Sequence, residues 1–226
     1  MIHRMTGRRS YDDPCGVARG LDVLGERWAL LVVRELLFGP KRFTQLRDGL
    51  HGASQNVLSQ RLRELQEAGV VRRRKLGPPT GTWAYELTER GRDLEPVLLQ
   101  LGRWGSRVPM TSESELGVDA LVLALKTTFD PDAAGGLRAR YELRLGADRF
   151  DARVADGRLD LVRGAADRPD AAIEADAATL RSVVFGGRHL DDALGSGDLR
   201  IEGDRRAATR FVGLFPRPMP VPAGAE

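Results

Sequence analysis

Between Ser54 and Thr88 the residue pattern changes period once, and that change limits what the surrounding chain can become. Ser54 is a strong N-cap, Gln55 to Ala68 repeats apolar residues at helical spacing, and Gly69 is a fitting helix stop. From Val70 to Leu76 the spacing becomes strand-like, Gly77-Pro-Pro-Thr-Gly81 is a turn, and Thr82 to Leu87 returns as a second strand. A helix wheel centred on Leu58 puts Leu62 and Leu65 beside it, so the apolar stripe is narrow and the rest of the helix stays polar.

Upstream, Val17 to Leu24, Trp28 to Phe38 and Phe43 to Leu50 read as three helices, the second stopped by Gly39-Pro40. Helices followed by a hairpin give the layout of a winged helix-turn-helix. Thr88 caps one more predicted helix running towards Val108, and Pro96 inside it predicts a kink or break. After Met110 the pattern differs. Leu137 to Leu145 alternates apolar and charged residues, Phe150, Ala152 and Val154 repeat the alternation, Asp156-Gly157 is a hairpin turn, and Leu159 and Leu161 begin the return. Ala172 to Ala175 offers a fourth strand. Helical patterns flank this meander at Val118 to Phe129, Ala177 to Phe185, His189 to Leu194 and Arg205 to Phe215. The expected class is therefore α+β: a winged helix-turn-helix unit at 1–110, then an α+β unit at 116–215 with helices on one face of an antiparallel sheet. Polar Pro109 to Gly117 is the expected linker, and the Pro-rich 216–226 an extended tail.

Charge divides at the same place. Of 226 residues, the first 110 carry 19 Arg/Lys and 12 Asp/Glu, or +7, and the remainder carry 16 and 20, or −4. Such a split implies a basic half that meets a polyanion. Its density peaks between Lys41 and Lys75, where nine basic residues face three acids. The outer face of the fourth helix holds Gln55, Asn56, Ser59, Gln60 and Arg63, side chains that can bond base edges. Arg42, Thr44 and Gln45 on the preceding helix, Ser54 at the cap, and Arg72, Arg73, Arg74 and Lys75 on the first hairpin strand complete the candidate surface for double-stranded operator DNA. The alternative is that any amphipathic helix has a polar outer face, but here that face carries only one acid, Glu67, near its far end.

No apolar run approaches the ~20 residues that span a bilayer, and MIHRMTGRRS is not followed by an apolar leader, so a cytoplasmic protein with no membrane partner is expected. One cysteine, Cys15, and the scattered His3, His51 and His189 cannot build a disulfide or a Cys/His zinc cluster. No Walker loop, G-x-S-x-G elbow or H-E-x-x-H is present, and the adjacent Asp191 and Asp192 diverge by about 100° on a helix. The expectation is a protein with no enzymatic activity, cofactor or metal.

The run Cys15-Gly-Val-Ala-Arg-Gly-Leu-Asp-Val-Leu-Gly-Glu-Arg-Trp28, with Arg34-Glu-Leu-Leu, Arg42-Phe-Thr-Gln-Leu46, Val57-Leu-Ser-Gln-Arg-Leu-Arg-Glu-Leu65 and Tyr85-Glu-Leu-Thr88, resembles the HxlR family of transcription regulators, relatives of MarR. The resemblance covers about residues 10–108. It implies a homodimer whose terminal helices pack together and whose two recognition helices enter successive major grooves. Cys15 precedes a predicted helix, where the dipole favours a reactive thiolate and Asp12 and Asp13 oppose it. In some family members a cysteine similar in position senses quinones or electrophiles; the alternative is a small buried hydrophobe.

Pro169-Asp-Ala-Ala-Ile-Glu-Ala-Asp176, Phe185-Gly-Gly and Ala193-Leu-Gly-Ser-Gly-Asp-Leu-Arg-Ile-Glu-Gly-Asp204 resemble a sterol-carrier-protein domain over about 116–215. The resemblance implies a tunnel between sheet and helices that accepts an apolar small molecule, with Tyr141, Phe150, Leu180, Val184, Phe185, Phe211 and Phe215 as candidate lining. Taken singly, each also fits an ordinary core. The expected function is a DNA-binding regulator sensing an apolar effector. The alternatives are a lipid or metabolite carrier whose winged helix serves mainly dimerisation, and a thiol-based redox regulator acting through Cys15.

Overall fold

The structure, a computed structural model, describes residues 10–77, 81–109 and 115–217. Part of the expected hairpin turn, part of the expected linker and most of the Pro-rich tail lie outside them. The chain divides between Glu95 and Pro96 into two compact units.

The first unit runs α1 (Gly16–Leu24), α2 (Ala29–Leu36), α3 (Phe43–Gly49), α4 (Gln55–Glu67), β1 (Val71–Lys75), β2 (Trp83–Leu87) and α5 (Glu89–Arg92). Its elements follow from local chemistry. Ser54 Oγ accepts the Val57 N–H at 3.3 Å and starts α4, whose Leu58, Leu62 and Leu65 are fully buried. Gly69, at φ +69°, turns the chain into the hairpin with no side-chain penalty. The helix expected from Trp28 begins one residue later, because Trp28 itself is left-handed at φ +79° and ends the reversal out of α1. Strands β1 and β2 pair antiparallel with Arg72 opposite Glu86 and Lys75 opposite Trp83. The base of this hairpin is fixed to the helices: Lys41 exchanges backbone hydrogen bonds with Tyr85 at 2.9 and 2.8 Å, while its Nζ reaches the buried Glu35 at 2.6 Å. Arg34 donates to the same Glu35 at 2.7 Å, so a carboxylate inside the unit is doubly paired, as burial of a charge requires.

The helix predicted beyond Thr88 is two. Thr88 Oγ1 caps α5 by accepting the Gly91 N–H at 3.1 Å, and α6 (Glu95–Gly105) starts afresh with Pro96 in its first turn, where a missing N–H breaks no helical bond.

The second unit contains the rest of α6, then α7 (Val118–Thr128), α8 (Pro131–Ala134), β3 (Ala139–Leu145), β4 (Asp148–Ala155), β5 (Arg158–Arg163), β6 (Ala171–Ala175), α9 (Ala177–Arg181), a π-turn (Ser182–Gly186), α10 (Leu190–Gly195), β7 (Leu199–Gly203) and α11 (Arg205–Val212). Helix α6 closes on α7 where a Cβ on Gly102 would stand 3.1 Å from Thr127, and Arg103 Nε donates to the Thr127 carbonyl at 3.2 Å. The sheet order is β5-β4-β3-β6-β7, antiparallel except for the β3–β6 pair. The expected meander is therefore a mixed sheet, and β7, which the sequence pattern did not reveal, pairs with β6 from Ala171 opposite Gly203 to Ala175 opposite Leu199.

The two faces of this sheet differ in chemistry. One carries Leu143, Phe150, Val154, Leu161 and Ile173, all buried, and receives the helices. The other carries ion pairs: Arg140 grips Asp151 with two bonds of 2.8 and 2.6 Å, and Glu142 takes Arg144 at 3.0 Å and Arg149 at 2.9 Å. The Arg140 bonds hold the Asp151 carboxyl below its ordinary range. Ion pairs of this sort, within and between strands, add little each, but they make an uncovered sheet face compatible with water.

Candidate nucleic-acid interface

Helix α4 presents Gln55, Asn56, Gln60 and Arg63 as exposed side chains, with Ser59 half-buried beside them, on the side away from its leucines. Amide, hydroxyl and guanidinium groups so placed can donate to and accept from base edges in a major groove. Two of these groups are already linked: Arg63 Nη2 donates to Gln60 Oε1 at 2.5 Å. Thr44 and Gln45 of α3 are exposed too, but Gln45 Oε1 accepts the Arg42 N–H at 2.8 Å and so serves to start its own helix. Arg42 is half-buried at that start. Ser54 spends its oxygen on the α4 cap.

The basic run on the hairpin does not act as one surface. Strand alternation puts Arg72 and Arg74 on the side of Glu86, which is buried and receives both guanidinium groups at 2.7 Å. Arg73 and Lys75 point to the other side, where Arg73 lies 4.7 Å over the ring of Trp83, an exposed indole. The charge that sequence assigned to four residues is thus half neutralised in two of them and unopposed by Glu86 in the others. Trp83 was absent from the sequence-based surface; its register opposite Lys75 sets it beside Arg73 and Lys75.

Sequence reasoning also missed Arg61. It is buried, with Nη1 on Glu64 Oε2 and Nη2 3.7 Å from Glu26 Oε2 of the α1–α2 connection. The wheel holds the signal, since position 61 falls about 60° from Leu58, at the edge of the buried stripe.

Cys15 stands at the N-cap of α1 and is exposed in the single chain. Nearby, Gly16, Gly20, Val23, Leu24, Val70 and Leu94 line a surface recess of about 530 Å³ within the first unit.

In the second unit Tyr141, Phe211 and Phe215 come together, with ring centroids 4.6 Å apart for the first pair and 5.0 Å for the second, and Phe129 follows at 6.3 Å from Phe215. Tyr141 Oη is buried with no hydrogen-bond partner, and burial first, then Asp170, pushes its phenol up. Phe150 lies under the Arg163 guanidinium at 4.6 Å. Leu180 and Val184 are buried, and Phe185, on the π-turn, is half-buried. Such single-turn π segments recur at functional sites.

Against known proteins, the HxlR-like helix-turn-helix family matches residues 23–113 and the SCP-2 sterol transfer family matches 123–216. An uncharacterized HTH-type transcriptional regulator of Synechocystis is 38% identical over 92 residues, 41% of this chain and 68% of that protein. One from Mycobacterium tuberculosis is 44% identical over 105 residues, 46% of this chain and 61% of that protein. The solved structure of the reduced form of the transcriptional regulator YodB from Bacillus subtilis is 30% identical and covers 44% of this chain and 98% of its own, with a TM-score of 0.38. The chain belongs to the HxlR-like helix-turn-helix family of transcriptional regulators, and it carries an SCP-2 domain behind the helix-turn-helix. Among the described residues no helix is long and apolar enough to cross a membrane.

Proposed function

We infer that the chain reads double-stranded operator DNA as a homodimer and that its SCP-2 domain binds an apolar small molecule that alters this reading. The observation that carries the DNA half is the outer face of α4: from Gln55 to Arg63 its exposed side chains are mainly amides and a guanidinium, while its other face is fully buried. Asn56, Ser59, Gln60 and Arg63 then meet base edges, and Arg73 and Lys75 follow phosphates from the hairpin. For the ligand half, the support is the SCP-2 match; Tyr141, Phe211 and Phe215 themselves pack ring against ring as buried core. A tenfold effect of the effector on DNA affinity requires it to prefer one state of the protein by about 1.4 kcal/mol.

Substitution separates the two kinds of DNA contact. Arg63→Ala and Gln60→Ala should each weaken the selected operator by about 1–3 kcal/mol and leave random DNA nearly unchanged. Arg73→Ala should weaken both alike and lower the salt dependence by about one unit of slope. Equal losses on operator and random DNA for all three variants would remove the division between base and phosphate contacts.

A further inference from the structure

The outward side chains of α4 are not independent of one another. Gln60 Nε2 donates to Glu64 Oε1 at 2.7 Å, while Gln60 Oε1 accepts from Arg63 Nη2 at 2.5 Å. The second oxygen of Glu64 is taken by Arg61 Nη1, and Arg61 continues to Glu26 at 3.7 Å. Glu64 is therefore the point at which the exposed face of the helix is tied to its buried edge.

These partners fix the one property of a glutamine that matters for reading a base. A surface amide can turn over, exchanging its oxygen and nitrogen at little cost. Here the nitrogen faces a carboxylate, which only accepts, and the oxygen faces a guanidinium, which only donates. Turning the amide over would set oxygen against oxygen and nitrogen against nitrogen. The held orientation still leaves one Nε2 hydrogen and one Oε1 lone pair, the combination that meets N7 and N6 of adenine. The same carboxylate, which also pairs the buried Arg61, is a second acid beside Glu67 on a face where the sequence pattern counted one, and it brings negative charge, a cost in affinity, to a helix face read as meeting phosphates.

We propose that Glu64 is a positioning residue for sequence recognition, holding the Gln60 amide in the orientation that reads one base pair without touching DNA itself. The inference rests on the base-reading role given to α4 above. The test uses the full chain and an operator selected from a random double-stranded pool, with affinities compared between that operator and versions changed at single base pairs at one salt concentration.

Gln60→Ala identifies the pair that Gln60 reads. Glu64→Gln, which keeps an acceptor oxygen for Arg61, should relax discrimination at that same pair by about tenfold while binding random DNA as tightly as wild type or more so. Glu64→Asp, whose carboxylate is withdrawn by one methylene, should relax the same pair with random-DNA affinity at the wild-type value. In the Gln60→Ala background, Glu64→Gln should relax that pair no further. Full discrimination in both Glu64 variants, with Gln60→Ala relaxed, would overturn the positioning role and leave the base-reading role standing. A Gln60→Ala variant that discriminates at every pair like wild type would overturn both.

Discussion

Replacing Leu101 and Trp104 together by aspartate should convert the protein to monomers at concentrations where wild type is dimeric, and should lower operator affinity by about 100-fold or more. Helix α6 has two apolar sides. Leu98 is buried and Gly102 is seated against Thr127, whereas Val97, Leu101 and Trp104, spaced four and three residues apart, form a second stripe that is 50%, 46% and 69% exposed. Val108 continues the stripe just past the helix. Scattered exposed apolar residues are ordinary on a protein surface, but a contiguous stripe containing an exposed tryptophan marks an interaction site. The homodimer proposed above would seat the same stripe of a second copy on it, as a two-fold contact requires. Two carboxylates from each copy in such a contact would each lose solvation worth several kcal/mol without gaining a partner. A monomer then engages one half-site and forfeits the second, intramolecular contact. Sedimentation and gel retardation on one preparation test both halves, and a double variant that stays dimeric would contradict the interface.

The second large effect lies inside the SCP-2 domain. Phe211→Ala should cost about 3–5 kcal/mol of that unit's stability, a large part of the ~5–15 kcal/mol a domain holds. Phe211 is fully buried, with Tyr141 at 4.6 Å on one side and Phe215 at 5.0 Å on the other, so its loss leaves a cavity bordered by aromatic rings that are themselves fixed. Tyr141→Phe should do the reverse. It removes a buried hydroxyl that has no partner while keeping the ring, and should raise stability by about 1–3 kcal/mol. Thermal or denaturant unfolding of the three proteins reads both signs. A Tyr141→Phe variant less stable than wild type would show that the hydroxyl is satisfied in solution.

What the sequence revealed, and what it hid, follows from the range of the interactions involved. Helix α4 was legible almost to the residue because Ser54 and Gly69 close its ends locally and Leu58, Leu62 and Leu65 mark its buried side. The broken helix at Pro96 was legible for the same reason. The roles within the hairpin were not. Arg72, Arg73, Arg74 and Lys75 look alike in a row, and only the register that sets Glu86 against Arg72 divides them. Strand β7 escaped because Leu199-Arg-Ile-Glu-Gly203 is short, follows a glycine-rich turn and gains its identity from pairing with β6. The parallel β3–β6 contact joins Tyr141 to Ala171 across two intervening strands, which no local alternation encodes. The π-turn at Ser182–Gly186 was hidden as well, since Leu180, Val183 and Val184 satisfy a helical period whether or not the ladder slips by one residue.

Footprinting of the full chain on its selected DNA tests the central claim most directly, that a homodimer reads operator sequence through α4. Protection should fall on one face of the duplex over an inverted repeat whose half-site centres lie about 34 Å, one helical turn, apart, and should vanish in the Leu101→Asp, Trp104→Asp protein. Protection of a single asymmetric half-site, or protection that follows DNA length and salt with no preference for sequence, would contradict it.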